Sequence, residues 1–197
     1  MDRFCVATNN RHKLEEIQDV IGADVDLVSL SDIGCFEELP ETQPTLEGNS
    51  LQKAEHVFQN YKVPCFADDT GLEVEALNGE PGVYSARYAG EHKNSDDNID
   101  LLLKKLENIS NRKARFRTVI TLVGFHEQPV TFEGIVDGAI INERRGSSGF
   151  GYDPVFIPEG YTKTFAEMTL QEKSMLSHRA IALRKLETFL KVHIAAR

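Results

Sequence analysis

The sequence predicts an α/β fold: a mixed β-sheet with helices packed on it, not a purely doubly wound one. Three observations carry that expectation. Strand-like and helix-like segments interleave over the first part of the chain. Strand-like segments then follow one another in the middle with no helix between them. A long amphipathic segment closes the chain.

Taken in order, Arg3 to Ala7 is short and apolar, as a buried strand is. Leu14, Ile17, Val20 and Ile21 follow at helical spacing, and that helix begins near Arg11. Glu37 to Gly48 is acidic, is broken by Pro40 and Pro44, and reads as a loop. Asn49 or Ser50 caps a second helix with Leu51, Ala54, Val57 and Phe58 on its apolar face. Pro64 to Ala67 is a second short strand that ends at Asp68-Asp69-Thr70-Gly71. Leu72, Val74 and Ala76 alternate as a third strand does, and Gly79 to Gly82 is a turn. Ser95 starts an amphipathic helix with acids in its first turn and Ile99, Leu102, Leu103 and Leu106 on one face. Arg115 to Phe125 and Val130 to Val136 pair across a turn near Gln128-Pro129, and Gly138 to Asn142 is a further short strand. Met175 to Val192 reads as one long helix, with Leu176, Arg179, Leu183, Leu186 and Leu190 on or near one face.

The 197 residues fit a single domain, 1–197, or one domain with two lobes. The hydrophobic content of 41% supplies a substantial core. No run approaches the roughly 20 apolar residues of a membrane span, and Met1-Asp2-Arg3-Phe4 carries no signal-peptide pattern, so a cytoplasmic protein is expected. Cys5, Cys35 and Cys65 are odd in number, widely spaced and without a CxxC, which argues against a disulfide framework or a zinc site. Cys5 and Cys65 lie in apolar strand patterns and read as core residues. The formal charge of −9 excludes broad contact with a nucleic-acid backbone. It leaves room for a small polyphosphate held by a local basic pocket, with a divalent cation among the carboxylates.

Four motifs carry chemistry. In Thr8-Asn9-Asn10-Arg11-His12-Lys13 a strand runs through a polar loop into a helix. A helix N-terminus offers backbone N–H groups and partial positive charge to phosphate. Thr8 and Asn10 add polar side chains and Lys13 a point charge. The GxxxxGK[ST] loop is absent, and an ordinary capped helix with a solvated lysine is the plain alternative. Asp68-Asp69 sets adjacent carboxylates after an apolar strand, where they need water, cations or a metal; a polar turn is the alternative. Glu38 and Glu41 in the acidic loop add further carboxylates, and oxygen donors of this kind suit Mg²⁺. Phe150-Gly151-Tyr152-Asp153-Pro154 follows Gly146-Ser147-Ser148-Gly149, a flexible loop with stacking surface for a base. Ser177-His178-Arg179 near a helix start has donors for a base edge or for phosphate, or is a charged helix face.

With these motifs in this order, the chain resembles the inosine triphosphate pyrophosphatase family. The resemblance runs nearly end to end: Ala7 to Glu16, Phe66 to Leu72, Pro81 to Tyr88, Gly149 to Pro154, Phe165 to Met168 and Lys173 to Arg179. It implies a two-lobed α/β fold around a long mixed sheet with the nucleotide in the cleft between lobes. It also implies a homodimer, a requirement for Mg²⁺, and conversion of ITP, dITP or XTP to the monophosphate plus pyrophosphate. By resemblance, Thr8, Asn9, Asn10, Arg11, His12 and Lys13 contact the triphosphate, with Lys53 a further phosphate partner. Glu41 and Asp69 match the metal positions, Asp69 also matches the proton acceptor with Asp68 as its neighbour, and Thr70 touches substrate. Phe150, Gly151, Tyr152, Asp153, Lys173, His178 and Arg179 fall on the base pocket. Many relatives carry Gly where Asn9 stands; if that position needs φ > 0, Asn is the least costly substitute. Two other readings stand beside this one: a Maf-type pyrophosphatase for modified pyrimidine nucleotides, and a nucleotide sensor without catalysis.

Overall fold

The computed structural model describes residues 3–21 and 25–195. Met1 and Asp2, part of the N-terminal pattern read above, lie outside them. The helices are α1 (Arg11–Val20), α2 (Leu46–Tyr61), α3 (Ser95–Lys105), α4 (Leu170–Leu176) and α5 (His178–Ala195). The strands are β1 (Arg3–Val6), β2 (Asp26–Val28), β3 (Cys65–Val74), β4 (Pro81–Gly82), β5 (Lys113–Val123), β6 (Val130–Ile140) and β7 (Phe156–Pro158). Among the described residues these seven strands form one sheet in the order β2-β1-β3-β5-β6-β7, with β4 on β3. β1 pairs in parallel with both β2 and β3, Cys5 opposite Cys65 and Val6 opposite Phe66. β4 and β7 pair antiparallel with β3 and β6. The fold is therefore a mixed α/β sheet flanked by helices.

The chain divides into two compact units, Met1–Asp69 with Thr118–Gly134 and Arg179–Arg197, and Thr70–Arg117 with Ile135–His178. In the first unit both faces of the parallel strands are apolar, as covered parallel strands require. Phe4, Val6 and Phe66 pack with Ile17 of α1 and Leu183, Leu186 and Leu190 of α5. The alternate residues Cys5, Ala7, Cys65 and Ala67 pack with Ala54 and Val57 of α2 and with Cys35. All three cysteines are free and buried. Burial, with a neighbouring thiol, pushes the Cys5 and Cys65 thiols up to about 12, so they behave as apolar core groups. In the second unit Leu72, Val74, Phe116 and Ile140 from the strands meet Ile99, Leu102 and Leu106 from the α3 segment, together with Tyr152, Phe156 and Phe165.

Several boundaries differ from the sequence reading, each for a local reason. α2 starts before Asn49 and Ser50 because Thr45 caps it, accepting from the Gly48 N–H at 3.0 Å. Asn49 and Ser50 are buried inside the helix. Asp68-Asp69-Thr70-Gly71 does not end a strand: β3 runs straight through it and absorbs the separate strand expected at Leu72. A Cβ on Gly71 would meet the Gly82 carbonyl oxygen at 2.6 Å, so glycine there lets β4 approach β3. β6 likewise joins the two strands expected over residues 130–142. The closing helix is two helices: Ser177 adopts φ −67°, ψ 154°, α4 ends on it, and α5 begins at His178. The short strands β2, β4 and β7 carry no alternation long enough to read from sequence. Asn9 is not among the residues with positive φ, so its loop makes no demand for glycine.

Candidate active site

In the first unit the Asn10 side chain caps α1, accepting from the Lys13 N–H at 3.2 Å. Thr8 Oγ1 accepts from the Asn10 N–H at 3.1 Å, which shapes the turn into the helix. The Asn9 side chain donates to the Glu37 carbonyl at 3.2 Å and ties this turn to the acidic loop. Arg11 and His12 lie on the exposed side of α1 beside Glu15, at 3.1 and 3.9 Å.

Lys13 turns the other way. Its Nζ lies 3.0 Å from Asp68 Oδ2, which also accepts from Arg179 Nε at 3.2 Å. Arg179 is 1% exposed, and its guanidinium also donates to Glu16. Burial by itself raises the Asp68 pKa, but Lys13, Arg179 and Lys53 outweigh it and hold the carboxyl well below the usual range. Asp69, one residue on, moves the other way: burial is the largest influence and raises it, and Lys53 and Lys13 offset this only in part. Asn49 Nδ2 donates to Asp69 Oδ2 at 3.1 Å, while Asn49 Oδ1 accepts from the Gln43 N–H at 2.9 Å. Lys53 Nζ lies 2.6 Å from Glu41 Oε1 and 3.8 Å from Asp69 Oδ1, and donates to the Asp68 carbonyl at 2.8 Å. Glu41 and Asp69 thus share one cation; they offer two hard oxygen donors, and no group of three or more His, Cys, Asp or Glu that could hold a metal stands among the described residues, whereas Mg²⁺ commonly takes one or two carboxylates together with substrate phosphates.

The second unit begins at Thr70, next along β3. Its buried Lys173–Asp153 pair, 2.7 Å apart, stands beside the aromatic loop. Asp153 Oδ2 also accepts from the Phe150 N–H at 2.9 Å, and Lys173 Nζ sits 5.1 Å from the Phe150 ring centroid. Gly151 has φ 59°, and Gly149 has φ 74° with no room for a Cβ beside Asp153. Tyr152 is a core residue whose hydroxyl donates to the Ser85 carbonyl at 2.8 Å. It anchors the loop, and Phe150 is the more open ring. His178 stacks on Phe116 with ring centroids 4.6 Å apart.

The structure thus gathers Lys13, Lys53, Asp68, Asp69, Glu41 and Arg179 in one unit, and Phe150, Tyr152, Asp153, Lys173 and His178 in the other. Arg11 and His12 stand outside the first group. Three residues had no assigned role from sequence. Glu16 meets Arg179 across 163 positions, with nothing local to announce it. Asn49 reads as a helix cap, and Ser85 holds Tyr152 through its backbone carbonyl while its hydroxyl accepts from the Leu72 N–H and donates to the Gly82 carbonyl.

These features define a mixed α/β protein that sets cationic side chains from three helices on paired carboxylates. The chain belongs to the Ham1 family, whose pattern matches residues 4–189. It is 55% identical over 191 residues to a protein of Porphyromonas gingivalis named dITP/XTP pyrophosphatase, covering 96% of this chain and 98% of that one. A Flavobacterium johnsoniae protein of the same name is 54% identical over 184 residues, covering 93% and 95%. The solved structure of the Staphylococcus aureus Ham1 protein superposes with a TM-score of 0.88 at 38% identity, covering 98% of this chain and 100% of that one.

Proposed function

We propose that this chain hydrolyses ITP, dITP and XTP to the monophosphate and pyrophosphate with Mg²⁺, and so clears deaminated purines from the nucleotide pool. It is a hydrolase of the nucleoside triphosphate pyrophosphatase class; substrates, metal and assembly are the proposal. One observation carries the reading: Lys13, Lys53 and Arg179 converge on the adjacent Asp68 and Asp69, with Lys13 in the first turn of α1. Such a group suits a polyanion beside a carboxylate that takes a proton. The names of the relatives support the choice of nucleotide.

The triphosphate binds at the N-terminus of α1, whose amides and Lys13 stabilise charge on the departing pyrophosphate. Glu41 and Asp69 would hold Mg²⁺, which supplies charge neutralisation on phosphate oxygens. Asp69 accepts the proton of the attacking water. Its environment keeps it the more basic of the pair, whereas Asp68 is locked as an anion by its cations. Phe150 offers a face to the base, held by Asp153, Lys173 and the Tyr152 anchor. His178 and Arg179 donate to the 6-keto oxygen of hypoxanthine or xanthine. The chain acts as one domain in a cytoplasmic homodimer on this reading; no described helix is long and apolar enough to cross a membrane.

The test is pyrophosphate release from a panel of deaminated and ordinary nucleoside triphosphates, with and without Mg²⁺. Release from dITP, ITP and XTP far above that from ATP and GTP is expected. A preference for modified pyrimidines, or no release at all, overturns the reading.

A further inference from the structure

We propose that Lys53 is a resident cation that holds the place of the metal at Glu41 and Asp69, and that it yields only when substrate phosphate draws its ammonium away. Metal and nucleotide then load together. This rests on the pyrophosphatase reading and concerns the same site.

The geometry is specific. Lys53 Nζ touches Glu41 Oε1 at 2.6 Å and faces Asp69 Oδ1 at 3.8 Å, so it stands between the carboxylates suited to a divalent ion. An Mg²⁺ coordinates oxygen at about 2.0–2.1 Å. It would compete for the same Glu41 oxygen and repel the ammonium. The Lys53 side chain is 6% exposed and cannot simply turn to water.

Displacing a buried ammonium from its carboxylates leaves an uncompensated charge, which is costly. Metal alone must meet that cost. A triphosphate removes it by giving Lys53 new anionic acceptors. The flexible four-carbon stem permits the exchange while the helix stays fixed, since Ala54 and Val57 on α2 are core residues. Asn49 keeps Asp69 Oδ2 in place throughout, because its amide does not depend on Lys53.

The experiment measures Mn²⁺ binding to the full chain without nucleotide, by the paramagnetic resonance of free Mn²⁺. Wild type, Lys53→Gln and Lys53→Met are compared. The Gln side chain keeps a polar donor on the buried stem, which favours folding. Wild type should bind Mn²⁺ weakly, and the variants about tenfold or more tighter. Their Tm, lowered in chelator, should rise with Mn²⁺, while the wild-type Tm should not. Adding Glu41→Gln should abolish the gain; a gain that survives it places the ion elsewhere and overturns the proposal. Equal Mn²⁺ affinity in wild type and Lys53→Gln also overturns it. Should neither variant fold, the wild-type titration decides, since tight nucleotide-free binding is incompatible with a resident lysine. Pyrophosphate release by wild type separates the two ideas. Release with unchanged Mn²⁺ affinity sinks only the loading inference, whereas absence of release sinks the pyrophosphatase reading.

Discussion

Asp68 and Asp69 are adjacent and chemically alike, yet their surroundings shift their pKa values in opposite directions. Asp68 is held by Lys13 and Arg179; Asp69 has a neutral amide on one oxygen and Lys53 at longer range. Asp69→Asn keeps the shape and, on the proposed mechanism, removes the proton acceptor, so turnover should fall by ~100 to 10,000-fold with the fold intact. Because burial raises the Asp69 pKa in the metal-free protein, its carboxyl should titrate above about 4, the ordinary carboxylate value, when followed by NMR without Mg²⁺. Near-normal activity of Asp69→Asn would remove it from the chemistry. Arg179 has a more divided position, clamped by carboxylates while reading the base on our proposal. Arg179→Ala should lower ITP turnover strongly and narrow the ITP-to-ATP ratio of kcat/KM, leaving ITP-to-GTP discrimination less affected. A ratio that stays at its wild-type value would confine Arg179 to its clamp on Asp68.

At the scale of elements, the first turn of α1 is the unit that meets phosphate on the proposed reading. Asn10 caps it, Thr8 shapes its entry, and Lys13 points inward to Asp68. Lys13→Ala should therefore weaken ITP and GTP turnover by similar factors, since both nucleotides carry the same triphosphate. A large change in their ratio, measured as kcat/KM, would show that Lys13 senses the base. This element was legible in sequence because strand, polar loop, cap and helix follow within a few residues. β3 was not. Adjacent aspartates look like a strand end, and only partners arriving from α1, α2 and α5 make them tolerable inside a continuous strand. The break between α4 and α5 was hidden for a similar reason. Nothing in the residue types around Ser177 forbids helix; its N–H still closes the last turn of α4 on the Lys173 carbonyl at 2.8 Å, and its extended backbone then divides them.

At the scale of the molecule, the buried charges of the first unit bind its segments to one another. Glu16 of α1, Asp68 of β3 and Arg179 of α5 meet although they are far apart in the chain. Asp68→Asn leaves buried cations without their anion and should destabilise the protein by roughly 3–5 kcal/mol at neutral pH. The folded-state pKa of Asp68 is depressed, so its contribution is complete above the ordinary carboxylate value and is lost as pH falls through the folded value. The difference in urea stability between wild type and Asp68→Asn should hold from neutral pH to about 4 and then shrink. A difference that does not change in acid would mean that the Asp68 charge is not its source.

The amino-acid sequence by itself determined the mixed α/β class, the apolar strands, the helical faces and the motifs, since these rest on spacing and residue type over short stretches. Only the tertiary structure decided that Asp68 and Asp69 are shifted in opposite directions, that Tyr152 is an anchor, and that Lys53 sits between Glu41 and Asp69. Those outcomes depend on burial and on charges brought together from distant segments, which no local pattern contains.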